Sequence, residues 1–267
     1  MARYFTSDLH LGSTLINKVA HRPFISAEDA VNGLIDNINK TVAGEDVLFH
    51  VGDFMLSGVD KHGWDVDEGL KYKQNDYLKM IHSRVMLLAG NHDSGHNCDA
   101  DANCMLLDLP HYKGVTVGHY PSISSETGEI KYGISRKHTA GYLGNYGTAS
   151  RIHIHLCGHV HQNWFIAYDA DNRVLNINVG VDQWNYKPVR DSEISLVIDW
   201  LFAYHFNHKS ARMHSCIWTR AEFEGAQNAV KRSNQQARLR RKLAKGLTPE
   251  ECERRKIEAM KAKGLIK

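Results

Sequence analysis

Five short clusters of Asp, Asn and His punctuate the first 161 residues: Asp8-Leu9-His10, Gly52-Asp53, Gly90-Asn91-His92-Asp93, Gly118-His119 and Gly158-His159-Val160-His161. An ionised carboxylate only accepts hydrogen bonds, an amide oxygen accepts without charge, and imidazole offers a lone pair or a proton near neutral pH. Gathered in one place and buried, such groups are costly unless a cation satisfies them. Mixed carboxylate, amide and imidazole donors suit borderline first-row ions, so the expected cofactor is divalent metal, Mn²⁺ first, with Fe, Ni²⁺ or Zn²⁺ as the other candidates. The residues that offer ligand atoms are Asp8, His10, Asp53, Asn91, His119, His159 and His161. One ion does not need so many, whereas two ions sharing a bridging carboxylate do.

Each cluster closes an apolar run that has to position it. Residues 84–88 read as a short buried strand, and Gly90 lets the chain turn sharply at its end. Residues 46–51 form a second strand leading into Asp53, and residues 3–7 a β-prone opening leading into Asp8. Strand alternation, if it persists, sends Asp8 and His10 the same way. Residues 115–121 read as a strand ending in a histidine, and residues 152–157 as one that alternates with period two and runs into Gly158-His159-Val160-His161. His153 and His155 belong to the second of these and are given a structural role. The spacing predicts helices over 27–42 and near 64–82, a loop without periodicity over 94–108, and strands at 164–168, 174–179 and 194–198. Strand and helix alternate early and strands dominate later, which predicts an α/β core with a β-rich second half. In α/β folds, strand ends on one edge of a sheet gather into a common crevice.

Composition bounds the rest. The 267 residues are 42% hydrophobic and 24% charged, as in ordinary globular proteins, and contain no apolar run long enough to span a bilayer. Five cysteines without a CxxC pair, and an opening that reaches Asp8 too soon for a signal peptide, favour reduced thiols and a cytoplasmic location. The net charge of +3 hides a segregation: residues 229–267 carry 13 Lys and Arg against four Glu, a balance of +9, and the body before them carries −6. Residues 1–200 are read as the domain that carries the clusters, 201–228 as an ambiguous connecting segment and 229–267 as a basic, helical tail. Thr248-Pro249-Glu250-Glu251 opens a helix by a capping box, with a hinge near Gly246. Arg238, Arg240, Arg241 and Lys242 are the candidate contacts to nucleic acid phosphates.

Taken in order, Asp-x-His, Gly-Asp, Gly-Asn-His-Asp, a lone His and Gly-His-x-His resemble the calcineurin-like metallophosphoesterase superfamily over Asp8 to His161. The strings Asn178-Val179-Gly180-Val181-Asp182 and Trp184-Asn185-Tyr186 are similar to its compact bacterial and phage members. The resemblance implies a four-layer α/β/β/α sandwich with a dinuclear centre. Asp8, His10 and His161 would hold one ion, Asn91, His119 and His159 the other, and Asp53 would bridge them. It also implies that His92 is catalytic and not a ligand. Two ions can lower the pKa of a bridging water and clamp both oxygens of a phosphoryl displacement. His92 would protonate the leaving oxygen as general acid. Asp93 is expected to orient a histidine from behind.

The substrate is narrowed by departures from the pattern. The segment Gly52-Asp53-Phe54-Met55-Leu56-Ser57-Gly58 departs from the protein phosphatase pattern, which has an Asp-Arg-Gly after the Gly-Asp, and Ala89 and Asp93 replace the Arg and Glu that surround Gly-Asn-His there. The double-strand-break nucleases of the superfamily carry a further capping domain and helical hairpins for which this chain has no room. The expected substrate is a phosphodiester, in a nucleotide-like small molecule or a nucleic acid. The alternatives are phosphomonoester hydrolysis, a nucleic-acid-binding or processing protein, or a scaffold on the same fold that has lost catalysis.

Overall fold

The computed structural model describes residues 1–56, 72–93, 98–122, 152–206 and 215–243, with scattered positions between 248 and 261. The expected hinge at Gly246, residues 64–71 of the expected second helix, and residues 123–151 lie outside the described residues.

Apolar β-prone runs build two sheets. In the first, β1 (Arg3–Thr6), β2 (Val47–Val51) and β3 (Arg84–Leu88) run parallel, and the two-residue β9 (Val189–Arg190) pairs antiparallel with β1. Every residue of β2 is buried, as expected of a central parallel strand whose two faces are both covered. Helix α2 (Ala27–Thr41) follows β1 and starts where Ser26 accepts a hydrogen bond from the Asp29 N–H. Its buried stripe of Val31, Leu34, Ile35 and Ile38 packs with Leu48, Leu87 and, from α3 (Gln74–Met80), Tyr77. Helix α1 is the short segment Leu15–Val19.

The second sheet has the order β10-β7-β8-β6-β5-β4. Its strands are β4 (Cys104–Leu109), β5 (Tyr112–Gly118), β6 (His153–Cys157), β7 (Ile166–Asp169), β8 (Val174–Asn178) and β10 (Cys216–Trp218). The neighbours β5, β6 and β8 run parallel, while the edges are antiparallel. Helix α4 (Asp191–Tyr204) touches both sheets: Arg3 of β1 bonds Asp191, Ser195 donates to the Pro110 carbonyl, and the Tyr112 hydroxyl donates to Asp199.

The fold is thus mixed α/β, with two mixed sheets and five helices among the described residues. Two expectations are corrected. Residues 194–198 are helix rather than strand, because Ile194, Val197, Ile198 and Leu201 are buried at a helical spacing, and Glu193 accepts from the Arg190 N–H at the start. Within the expected loop 94–108, residues Cys104 onwards form edge strand β4, whose alternating exposure marks a one-sided strand.

The chain divides into two compact units, Met1–Thr219 and Arg220–Lys267. The second opens with α5 (Arg220–Leu243), so the helix begins nine residues before the expected tail. Thr248 and Glu251 exchange hydrogen bonds of 3.2 and 3.0 Å, forming the expected capping box. Among the described residues no helix is long and apolar enough to cross a membrane, and Cys98, Cys104, Cys157 and Cys216 are free thiols.

Candidate metal centre

The parallel strands bring the five clusters to one place. Asp8, Asp53 and Asn91 follow the ends of β1, β2 and β3, and His119, His159 and His161 follow the ends of β5 and β6. The two sheets meet at this edge. Asp8 accepts the His159 N–H at 3.0 Å, and His119 donates from Nδ1 to the Val51 carbonyl at 2.9 Å. Glycine is required at two of these junctions by contact alone. A Cβ on Gly158 would collide with Ser7 and Asp8, and one on Gly90 with Asp53.

Asp8 and His10 do not converge by strand alternation. Strand β1 ends at Thr6, and both residues adopt left-handed backbone, with φ of 58° and 47°. Asp53, His159 and His161 do the same, at 58°, 71° and 47°. Non-glycine residues in this region are uncommon and tend to collect at functional sites, where the surroundings hold the strain. Here five of the expected ligands share it.

Two groups result: Asp8, His10 and His161, and Asp53, His119 and His159, with the ligand atoms of each group within 4.8 Å of one another. Asn91 joins the second group, its Oδ1 lying 3.0 Å from His119 Nε2 and 2.9 Å from His159 Nδ1. Asp53 Oδ2 reaches both groups, at 3.2 Å from His119 Nε2 and 3.5 Å from His10 Nε2.

The donor set fits a cation. Because His119 spends its Nδ1–H on Val51, its Nε2 faces two acceptors, Asn91 Oδ1 and Asp53 Oδ2, and only a proton or a cation at that point satisfies all three. Among the described residues neither ring nitrogen of the buried His10 has a hydrogen-bond partner, the Asp53 contact at 3.5 Å being an ion-pair distance only, an arrangement that costs free energy unless something else is ligated there. These groups could hold metal ions.

The electrostatics carry the same imprint. Burial opposes the Asp53 charge, yet His119, His10 and His92 around it hold its carboxyl well below the usual range. Burial likewise opposes a charged His119, and Asp53 and Asp8 overcome it, pushing the ring up to about 9. His10 is held well below its ordinary value by burial, only partly offset by Asp53. Burial raises Asp8 against the pull of His161 and His119.

His92 sits beside both groups. Its backbone N–H donates to Asp53 Oδ1 at 2.9 Å, and its ring lies 5.2 Å from that of His10, edge to face. Asn91, His92, His159 and His161 are partly exposed, whereas Asp8, His10, Asp53 and His119 are buried, so solvent reaches the centre from the His92 side. Among the described residues, Asp93 holds backbone rather than a histidine. Its carboxylate accepts the backbone N–H groups of Asp53, Phe54 and Gly90 at 2.8, 2.9 and 2.7 Å, stapling the Asn91 turn to the Asp53 loop. Of the candidate nucleic-acid contacts, Arg238, Arg240, Arg241 and Lys242 lie in the last part of α5, in the second unit.

The residue that does orient a histidine is Asp182, which accepts the His161 Nδ1–H at 3.0 Å and leaves Nε2 facing Asp8. Arg22 grips the same carboxylate through Nε and Nη2 at 2.8 and 2.9 Å, and donates to the Asp8 and Leu9 carbonyls. Tyr120 is a further wall, its ring centroid 5.2 Å from His119 and 5.0 Å from His159. Asp182 belongs to the string Asn178-Val179-Gly180-Val181-Asp182, which gives it no role by itself, and an Arg before Pro23 or a Tyr after His119 carries no signal in the sequence.

No family model matches the chain. The uncharacterized protein MJ1445 of Methanocaldococcus jannaschii is 27% identical over 187 residues, spanning 70% of this chain and 85% of that protein. Among solved structures, the protein of unknown function AQ665 from Aquifex aeolicus is similar over 73% of this chain and 98% of its own, at 22% identity and a TM-score of 0.48.

Proposed function

We propose that this chain is a metal-dependent phosphoesterase of the calcineurin-like type, hydrolysing a phosphodiester in a nucleotide-like small molecule or a nucleic acid. The observation that carries the reading is Asp53, one carboxylate oxygen of which lies 3.2 Å from His119 and 3.5 Å from His10 and so joins the two ligand groups. Asp8, His10 and His161 would hold one divalent ion, Asn91, His119 and His159 the other, and Asp53 would serve both. Mn²⁺ is the favoured ion. The packing of α2 on one sheet, and the hydrogen bonds of α4 to elements of the other, support reading the fold as four α/β/β/α layers.

When bound, the two ions supply an activated water and positive charge for the attacking and leaving oxygens of the phosphoryl group. The protein does the rest. Asp182 and the Val51 carbonyl fix the His161 and His119 rings so that Nε2 faces inward. Asp93 locks the turn that carries Asn91 and His92 onto the Asp53 loop. His92, at the open side, holds a proton for the leaving oxygen.

The test is turnover of bis(p-nitrophenyl) phosphate beside p-nitrophenyl phosphate, with Mn²⁺ and after chelation. Faster, chelator-sensitive turnover of the diester is expected. Preference for the monoester would make the protein a phosphatase, and no turnover with both ions bound would remove the enzymatic reading.

A further inference from the structure

We infer that helix α5 binds the phosphate backbone of nucleic acid. This does not rest on the metal-centre reading, because α5 belongs to the second unit. Residues 220–267 carry fourteen Lys and Arg against six Glu, a net +8, while the preceding 219 residues carry −5. The basicity is therefore confined. Within the second unit it is concentrated again: residues 225–249 contain seven Lys and Arg and no Asp or Glu.

A charged helix is ordinarily a solvated face, laced with acids one turn from each base. Helix α5 begins that way, with Arg220 bonded to Glu224 at 2.8 Å. Past Glu224 the acids stop. Lys231, Arg232 and Arg238 follow on a helix whose residues 231–238 are all exposed. Arg238, Arg241 and Lys242 then recur at spacings of three and four, where like charges oppose helix formation. A polyanion removes that opposition and releases its own counterions in exchange.

The residues between the charges choose among polyanions. A helix that lies on anionic lipid needs a face of Trp, Phe or Leu to enter the acyl boundary. Between Arg232 and Arg238 the residues are Ser233, Asn234, Gln235, Gln236 and Ala237, and past Phe223 the helix holds no further aromatic, its larger apolar side chains being Val230, Leu239 and Leu243 alone. Amides and hydroxyls beside Lys and Arg are the groups that bond phosphate oxygens and sugars. The contact is to backbone, so single strands and duplexes both bind.

The experiment is fluorescence anisotropy of the full chain, in chelator so that no cleavage intervenes, with a fluorescein-labelled 25-nucleotide DNA strand and with its duplex. Affinity for both should fall about 10–100-fold between 50 and 200 mM NaCl. The variant K231Q/R232Q/R238Q should bind about tenfold or more weakly at 50 mM, with a shallower salt slope and an unchanged melting curve. The charge-retaining variant K231R/R238K should bind as the parent does. Parent affinity that ignores salt, equal binding by the triple Gln variant, or sedimentation with phosphatidylserine vesicles without oligonucleotide binding would each overturn the inference. Because chelator is present, inactivity toward phosphodiesters leaves this result intact, and failure here leaves the metal centre untouched.

Discussion

His161 is tied through its Nδ1–H to Asp182 Oδ2 at 3.0 Å, and that carboxylate is itself gripped by a buried Arg22. The pair fixes which ring nitrogen faces Asp8, a role that carboxylates behind ligating histidines usually fill. Asp182→Asn should weaken Mn²⁺ binding about 10–100-fold, read by titration calorimetry. Arg22→Lys keeps the charge and gives up the fork, so it should lower the melting temperature more than it lowers metal affinity. Equal affinity of Asp182→Asn and the parent protein would mean that the contact is structural only.

Asp53 and Asp8 should differ in a countable way. Asp53 Oδ2 lies within 3.5 Å of histidines from both groups, whereas Asp8 belongs to one. Asp53→Asn is expected to reduce the content of both ions, and Asp8→Asn that of one. Metal analysis after equilibration with Mn²⁺ distinguishes the two. The same stoichiometry in both variants would deny Asp53 its bridging position.

Much of the site was legible because it depends on order along the chain, and strand ends of one direction share an edge. Residues 84–88 and the body of α2 were readable from apolar period alone. What failed was whatever depends on tertiary context. The run around Ile194 has β-branched residues and a strand-like length, and only burial along one helical stripe makes it α4. The convergence of Asp8 and His10 was expected from strand alternation and is produced by left-handed turns, which two non-glycine residues give no reason to expect. Asp182 fills the role expected of Asp93. The carboxylate next to His92 in sequence binds backbone, and the one that orients a histidine lies 21 residues beyond it.

Replacing His92 separates chemistry from metal binding. Its backbone N–H, not its ring, bonds Asp53, so His92→Ala leaves that contact in place. Turnover of a diester with an alkoxide leaving group should fall about 10²–10⁴-fold with metal content unchanged. The loss should be smallest for substrates whose leaving group needs no proton, such as p-nitrophenolate. Loss of metal in proportion to activity would make His92 a ligand and vacate the role of acid.

A pH prediction comes from behind the site, where the role of His155 is structural. The ring is fully buried, its Nε2–H donates to the Tyr120 carbonyl at 2.9 Å, and Nδ1 accepts from the Thr116 hydroxyl at 2.7 Å. With Nδ1 committed as acceptor, the neutral ring is the form that fits. Burial lowers its pKa to about 4, with the Tyr120 carbonyl opposing and His153 adding to the shift. The unfolded chain has an ordinary imidazole near 6.5, so between those values the unfolded state binds the extra proton. Stability from this residue is therefore complete above about pH 6.5 and is lost as pH falls towards 4, by about 2–3 kcal/mol. Urea unfolding of the parent and of His155→Gln at pH 7.0 and 4.5 isolates the effect, since only the parent carries this titration. The parent should lose more stability than the variant across that interval. Parallel losses would show that His155 accepts a proton in the folded protein as readily as in the unfolded chain.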